Sequence, residues 1–179
     1  QEVSALKGAE FKQGDVVTTA IKCENGELIT LKLDTTLPRL YDREITVSGT
    51  KGYYSQTLKA VILDGDKFDH EKNTIQDALN SQNDYVEYLP EDWKMITEEQ
   101  LKSGHGGMDY IMMKHFFRAV ANKEEMPIDV YEACAMMCVT ALSEQSIKNN
   151  GAPVEVPDFT DGNYKNRQIV DVLPFPEIR

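Results

Sequence analysis

The hydrophobic periodicity of this sequence changes along the chain, and that change limits the fold more than any other feature. Residues 15–22 and 28–34 are rich in β-branched side chains and roughly alternate between apolar and polar positions, which predicts two strands. The Asn25-Gly26 pair lies between them and readily adopts positive φ. We therefore expect the two strands to form a β-hairpin.

Three further strands are predicted before residue 66. Alternating or β-branched segments occupy residues 43–50, the residues that follow a turn at 49–52, and residues 59–65. Because short links join all five segments, they favour one open, mainly antiparallel (mixed) sheet.

The second half of the sequence has the period of amphipathic helices. Residues 108–121 place their apolar side chains on one stripe, and Asp109 lies in the first turn, where a negative charge suits the helix dipole. A second helix is predicted to begin at Asp129, where Glu132 completes a capping box, and to end at the Asn-Asn-Gly of residues 149–151.

The segment between the strands and the long helices has weaker periodicity. Residues 74–81 are compatible with a short helix, and Thr97 with Gln100 forms a capping box for another. Gly104 is then expected to end that helix as its C′ residue. Further on, residues 153–157 predict an edge strand, because their prolines prevent pairing on both sides.

This order of elements predicts an α+β fold in which the helices pack on one face of the sheet. The 179 residues fit a single domain, with its core at about 11–160, an acidic excursion at 64–103 and an extended tail at 161–179. The other face of the sheet would be open, and we expect it to bind a ligand or a second copy of the chain.

Charge and hydropathy exclude two classes of partner. The formal net charge is −11, and such a surface repels the phosphates of nucleic acids. No apolar run approaches the roughly 20 residues that a membrane-spanning helix requires. We therefore expect neither a nucleic-acid partner nor a membrane partner.

Neither the cysteines nor the acidic residues are expected to form a metal site. Cys23, Cys134 and Cys138 are too few for a disulfide framework, and the pair at 134 and 138 is expected to be buried in the core. The acidic segment is expected to be a solvated excursion. A calcium site is the alternative for four of its clustered residues, although they lack EF-hand spacing: Asp64, Asp66, Asp69 and Glu71.

The stretch Gly-His-Gly-Gly-Met-Asp-Tyr at residues 104–110 is the strongest candidate site. Its glycines permit positive φ and close backbone approach, and His105 can accept, donate or shuttle a proton near neutral pH. Asp109 could orient the imidazole or bind a sugar hydroxyl. The alternative is a loop histidine whose glycines serve turn geometry alone. His115 is expected to pack among the aromatic side chains of its helix, and His70 is expected to be solvated.

A second candidate is the connection at residues 34–44. Arg39 supplies a planar fork of donors and Tyr41 supplies a hydroxyl on a rigid ring, a combination that suits oxygen-rich ligands. An ordinary strand connection is the alternative. The sequence contains no G-x-G-x-x-G, P-loop, H-E-x-x-H or G-x-S-x-G motif, so no free-standing catalytic mechanism can be assembled from it.

Several of these motifs together resemble a known family. Residues 25–55, with the Gly-Thr-Lys-Gly turn at 49–52, resemble the C-terminal domain of the Gfo/Idh/MocA oxidoreductases. The stretch at 104–109, with Thr-Thr-Leu-Pro-Arg-Leu-Tyr at 35–41 and Ala-Pro-Val-Glu-Val-Pro-Asp-Phe-Thr at 152–160, narrows the resemblance to glycoside hydrolase family 109. The likeness covers roughly residues 11–162. Leu40 departs from the proline more typical of the family.

The resemblance implies a two-domain enzyme, an NAD-dependent α-N-acetylgalactosaminidase. An N-terminal Rossmann domain, absent from this chain, would hold NAD, and the present domain would contribute part of the carbohydrate pocket. The implied mechanism oxidises the sugar at C3, eliminates the aglycone, adds water and reduces the ketone again. Arg39, Tyr41, His105 and Asp109 are then the expected substrate-binding residues. His105 is a candidate catalytic residue, although the principal catalytic residues are expected upstream.

Two other functions remain open at this point. The longer protein to which this chain would belong, its parent protein, could be a plain NAD(P)-dependent sugar or polyol dehydrogenase. Alternatively, the chain could be a non-catalytic binding or oligomerisation module. No cofactor is expected on this chain alone. Because the chain begins with Gln1, we expect that preceding residues were removed by processing or cloning. The compartment, bacterial periplasm or cytoplasm, is left undecided.

Overall fold

The computed structural model describes residues 7–10, 14–65, 69 and 71–167. The chain divides into two compact units, residues 1–42 and 43–179. Each unit is described by itself.

The first unit is built on the predicted hairpin. Strands β1 (Val16–Lys22) and β2 (Leu28–Asp34) pair antiparallel along their full length, which confirms the prediction. Cys23 N–H donates to the Glu27 carbonyl at 2.8 Å, and Gly26 supplies the positive φ of the turn, at 101°. The register places aliphatic side chains from both strands on one face of the hairpin.

The second unit begins with a three-stranded antiparallel sheet in the order β3–β4–β5. The strands are β3 (Thr46–Ser48), β4 (Gly52–Ser55) and β5 (Ala60–Leu63), and the turn at 49–52 joins the first two. Gly49 N–H donates to the Gly52 carbonyl at 2.8 Å, which closes this turn. Ala60 and Ser55 are the buried residues of the sheet.

The expectation of one open sheet is wrong for the part of the chain that the structure describes, which contains two small sheets and only antiparallel pairs. The break lies between β2 and β3. Pro38 has no N–H to donate to a ladder, and Glu44 has φ of +50°, so the strand predicted from residue 43 begins only at Thr46. The α+β class is nevertheless confirmed.

Short helical segments connect the sheet to the long helices. They are α1 (Ile75–Ala78), a 3₁₀ segment (Ser81–Tyr88), α2 (Glu91–Lys94) and α3 (Glu98–Leu101). The Ser81 hydroxyl donates to the Val61 carbonyl at 2.9 Å and accepts from the Val61 N–H at 3.0 Å, which fixes the 3₁₀ segment to β5. The capping box of Thr97 and Gln100 is present as predicted.

Helix α4 (Met108–Asn122) buries Ile111, His115 and Ala119, which recur every four residues along one face. Asp92 in α2 holds this helix through both carboxylate oxygens. Its Oδ1 accepts from Lys114 Nζ at 2.5 Å, and its Oδ2 lies 2.9 Å from His115 Nε2. The hydrogen bond from Lys114 keeps the pKa of Asp92 below its ordinary value of 3.8.

Helix α5 (Val130–Lys148) is capped as the sequence predicts. The Asp129 side chain accepts from the backbone of Tyr131 and Glu132, and it also pairs with Arg167. The helix has no buried residue. Cys134 is exposed and Cys138 is half-buried, so the expectation of buried core cysteines is wrong.

Residues 152–158 form no strand, contrary to the prediction of an edge strand. Pro153 and Pro157 remove two N–H donors, and the Ala152 carbonyl accepts from the Ser146 hydroxyl at 2.8 Å instead of from a neighbouring strand. A 3₁₀ turn follows at Asn163–Asn166, and the rest of the predicted tail lies outside the described residues. None of the described helices is long and apolar enough to cross a membrane.

Replacement of Asp129 tests the capping of α5. Asp129→Ala should lower the free energy of unfolding by about 1 kcal/mol, because two backbone N–H groups lose their acceptor. Asp129→Asn keeps an equally good cap and removes only the partly exposed ion pair with Arg167, so its loss should be smaller. Urea unfolding measures both values, and equal losses would show that the ion pair, not the cap, matters.

Replacement of Asp92 tests the contact between α2 and α4 through its pH dependence. Because the folded-state pKa is lowered, the ionised carboxylate stabilises the fold above pH 3.8, and this contribution is lost as pH falls through the folded-state pKa. The Asp92→Asn variant should therefore be less stable than the unsubstituted chain at neutral pH. The difference in the free energy of unfolding should shrink at about pH 3.

Urea unfolding at the two pH values measures this difference. Glu155→Gln, at an exposed carboxylate away from this contact, serves as the control. A difference for Asp92→Asn that is the same at both pH values would contradict the role given to the charge.

Candidate functional site

Residues 104–107 form an unusual backbone junction between α3 and α4. All four have positive φ, at 76°, 44°, 67° and 92° in chain order. Three are glycines, which adopt such angles without a steric penalty, whereas His105 has a side chain and does so at a cost of about 1–2 kcal/mol. Strain of this kind concentrates at functional sites, where the surrounding structure maintains it.

Close packing explains two of the three glycines. A Cβ on Gly104 would lie 2.4 Å from Asp109 Oδ2, and a Cβ on Gly107 would lie 2.4 Å from Ile96 Cδ1. Gly106 has nothing within 4 Å of such an atom. Gly104 lies two residues beyond the C-cap Lys102, one position later than the predicted C′ position.

The junction brings His105 and Asp109 together. His105 Nδ1 lies 3.0 Å from both carboxylate oxygens of Asp109, which is in the first turn of α4. An ionised carboxylate can only accept a hydrogen bond. His105 Nδ1 must therefore carry the proton and donate to Asp109. Neutral His105 therefore keeps the lone pair of Nε2 for another donor, such as a hydroxyl group.

Both side chains are accessible to a ligand. The side chain of His105 is 62% exposed and that of Asp109 is 46% exposed. A strained, glycine-bracketed imidazole, oriented by a carboxylate and open to solvent, can bind a hydroxyl group and accept its proton.

The second candidate pair belongs to the first unit. Arg39 Nη2 donates to the Asp42 carbonyl at 2.5 Å and Arg39 Nε donates to the Leu40 carbonyl at 3.2 Å, while Nη1 lies 4.0 Å from Asp34 Oδ2. Arg39 therefore shapes its own loop. Tyr41, in the same loop, is 84% exposed.

The structure thus joins His105 to Asp109 within one unit and places Arg39 near Tyr41 within the other. His115 is buried, as predicted, but its partner Asp92 was not anticipated. The two residues are 23 positions apart and belong to no motif, so no local signal links them. Arg43 was also missed, and its Nη1 lies 3.7 Å from Met108 Sδ at the start of α4.

No group of three or more metal-ligating side chains gathers within the described ranges. Of the acidic residues considered for calcium, Asp66 lies outside these ranges, as does His70.

Replacement of the glycines tests the junction. Gly104→Ala introduces the contact with Asp109 at a backbone conformation, φ 76° and ψ 136°, that disfavours side chains. Gly106→Ala is the matched control, with φ of 67° and open space around the new atom. We expect a loss of about 1–2 kcal/mol in the control and a larger loss in Gly104→Ala.

Urea unfolding gives the free energies, and ¹⁵N NMR of the His105 ring reports its tautomer. Only Gly104→Ala should change the His105 signal. Equal losses of stability with an unchanged ring signal would contradict the proposed contact.

Comparison with known proteins identifies the family of this chain. The family described as "Glycosyl hydrolase 109, C-terminal domain" matches residues 3–166. A glycosyl hydrolase family 109 protein of Stenotrophomonas maltophilia is 40% identical over 159 residues, which cover 89% of this chain and 34% of that protein. An alpha-N-acetylgalactosaminidase of Tannerella forsythia is 37% identical over 158 residues, covering 88% of this chain and 32% of that enzyme.

A glycosyl hydrolase family 109 protein of Parabacteroides distasonis is 37% identical over 163 residues, covering 91% of this chain and 34% of that protein. The chain thus spans about a third of the length of these curated relatives. The family match covers nearly all the described residues, including both candidate loops. The chain therefore belongs to the glycosyl hydrolase 109 C-terminal domain family.

Proposed function

We propose that this chain is the carbohydrate-binding C-terminal part of an NAD-dependent glycoside hydrolase that removes α-linked N-acetylgalactosamine. The observation that carries the proposal is the contact between His105 and Asp109, in which a carboxylate orients an exposed imidazole. The names of relatives that are 31–40% identical, among them alpha-N-acetylgalactosaminidases, support the choice of sugar.

In this proposal His105 and Asp109 act as one unit. Asp109 accepts the Nδ1 proton and holds the ring, so that Nε2 can accept a hydrogen bond from a sugar hydroxyl. Proton transfer from that hydroxyl to Nε2 produces an imidazolium that the Asp109 carboxylate stabilises. Asp109 lies in the first turn of α4, where a negative charge suits the helix dipole.

Arg39 and Tyr41 have a more limited role in the proposal. Arg39 shapes the loop through its bonds to backbone carbonyls, and Tyr41, exposed on the same loop, is a further candidate for binding the sugar. Leu40 is as exposed as its neighbour, so this loop presents an apolar and a polar group side by side.

The residues that the structure describes do not fit a dinucleotide site. Such a site begins with a parallel strand that runs through a glycine-rich turn into a helix, whereas all the strand pairs described here are antiparallel. The three glycines at 104–107 follow a helix, not a strand. We therefore assign the binding of NAD to an N-terminal Rossmann domain of the parent protein.

Kinetics of the full-length protein test this proposal. His105→Ala should lower kcat/KM for p-nitrophenyl α-N-acetylgalactosaminide about 100-fold or more, because general base assistance is lost. Asp109→Asn should have a smaller effect, since the ring loses its orienting charge but stays in place. Lys148→Gln, on the exposed surface of α5, should behave as the parent protein does.

Three outcomes would contradict the proposal, each for a different part of it. Unchanged kinetics in both site variants would remove His105 and Asp109 from the site. Release of p-nitrophenol that persists after NAD has been removed from the protein would exclude a role for the cofactor in hydrolysis. Net production of NADH without hydrolysis would identify the parent as a sugar dehydrogenase.

A further inference from the structure

A pocket of about 350 Å³ lies beside α4 in the second unit. Trp93 and Phe116 contribute aromatic rings to its wall, and three methionines contribute flexible thioethers: Met108, Met112 and Met126. Aliphatic side chains complete it, and His115 is the one titratable residue among those that line it. The volume is at the lower end of the range for small-molecule sites in proteins.

His115 gives this apolar pocket a specific polar group. The residue is only 4% exposed, and its Nδ1 has no hydrogen-bond partner in the part of the chain that the structure describes. A buried polar atom left without a partner costs free energy, so an acceptor or donor in this position needs an explanation.

The contact made by the other ring nitrogen, Nε2, shows which kind of group can pair with Nδ1. His115 Nε2 lies 2.9 Å from Asp92 Oδ2, and Lys114 Nζ bonds to the other oxygen of the same carboxylate. Because the carboxylate is ionised and can only accept, Nε2 carries the proton. Nδ1 of the neutral ring is then an acceptor, so a group that pairs with it is a hydrogen-bond donor.

We propose that this pocket binds a small neutral aromatic ring that carries a hydroxyl group, a ligand of the phenol class. The ring packs against Trp93 and Phe116, and its hydroxyl donates to His115 Nδ1. The methionine side chains shift to admit it, since thioethers adapt readily and make favourable contacts with aromatic rings. This site goes beyond the proposed function and does not depend on it.

Charge favours a neutral ligand over an anionic one. Asp92 lies behind His115, and Asp109 precedes Met112 and Phe116 at helical spacings of three and seven, so its carboxylate is near the same side of α4. The whole chain has a formal net charge of −11. A carboxylate or phosphate ligand would be repelled, and it would find no cation among the pocket-lining side chains.

Two probes that differ only by an O-methyl group test the proposal on the full-length protein that contains this chain. They are p-cresol, which has the hydroxyl donor, and 4-methylanisole, its methyl ether, which lacks it. Saturation-transfer NMR detects binding, and calorimetry gives the dissociation constants. We expect p-cresol to bind about tenfold more tightly, because the ether leaves the His115 acceptor unpaired.

Variants locate the site. His115→Phe should abolish the preference for p-cresol, and Met126→Trp, which fills the pocket from a loop, should prevent the binding of both probes. Phe117→Leu is the control, because this exposed residue does not line the pocket. Circular dichroism confirms that each variant is folded.

The proposal is overturned if the parent protein binds neither probe, or if the ether binds as tightly as p-cresol. It is also overturned if a folded Met126→Trp variant binds p-cresol as the parent does. The Met126→Trp result keeps the test decisive even if His115→Phe does not fold.

Discussion

The positive φ angles of residues 104–107 are the constraint on which the candidate site depends. They turn the chain sharply between α3 and α4, and they place the imidazole of His105 over the first turn of α4. Glycine removes the steric cost at three positions, and its missing side chain leaves room for the Asp109 carboxylate beside Gly104. Only His105 bears the full backbone penalty. A histidine at this position is therefore better explained by the chemistry of its ring than by the needs of the turn.

The junction can keep this shape only if α4 itself is held in place. Asp92 supplies that restraint from α2, because one carboxylate binds two successive residues of α4, Lys114 and His115. Removing a carboxylate from water is costly, and here two charge-assisted hydrogen bonds offset that cost. The same contact fixes the proton on His115 Nε2 and so determines the hydrogen-bonding character of the pocket. Two neighbouring parts of one helix surface, one open and polar and one concave and apolar, thus depend on a single ionised side chain.

The features that sequence could predict are those set by residues close together along the chain. The hairpin follows from alternation and the turn at Gly26, and the starts of α3 and α5 follow from capping residues three positions apart. The division into two sheets was not predicted, because the φ of Glu44 depends on context and leaves no compositional signal. The contact of His105 with Asp109 is local and was anticipated, whereas that of His115 with Asp92 spans 23 positions and was not. Placement of Arg39 and Tyr41 beside the sugar remains a prediction.

Helix α5 differs from α4, because none of its residues is buried. Met136, Met137 and Val130 are 58%, 74% and 65% exposed on a helix without a buried residue. Val130 and Met137 are seven positions apart and share one side of the helix, whereas Met136 lies on another side. A helix that is apolar on more than one side normally has neighbours on those sides. The relatives that match this chain are about three times as long as the matched segment, so they have ample chain to provide such neighbours. Helix α5 and the junction at 104–107 thus present two different kinds of exposed surface. The contrast in side chains fits this division, because the junction presents His105 and Asp109 to solvent, whereas α5 presents methionine and valine.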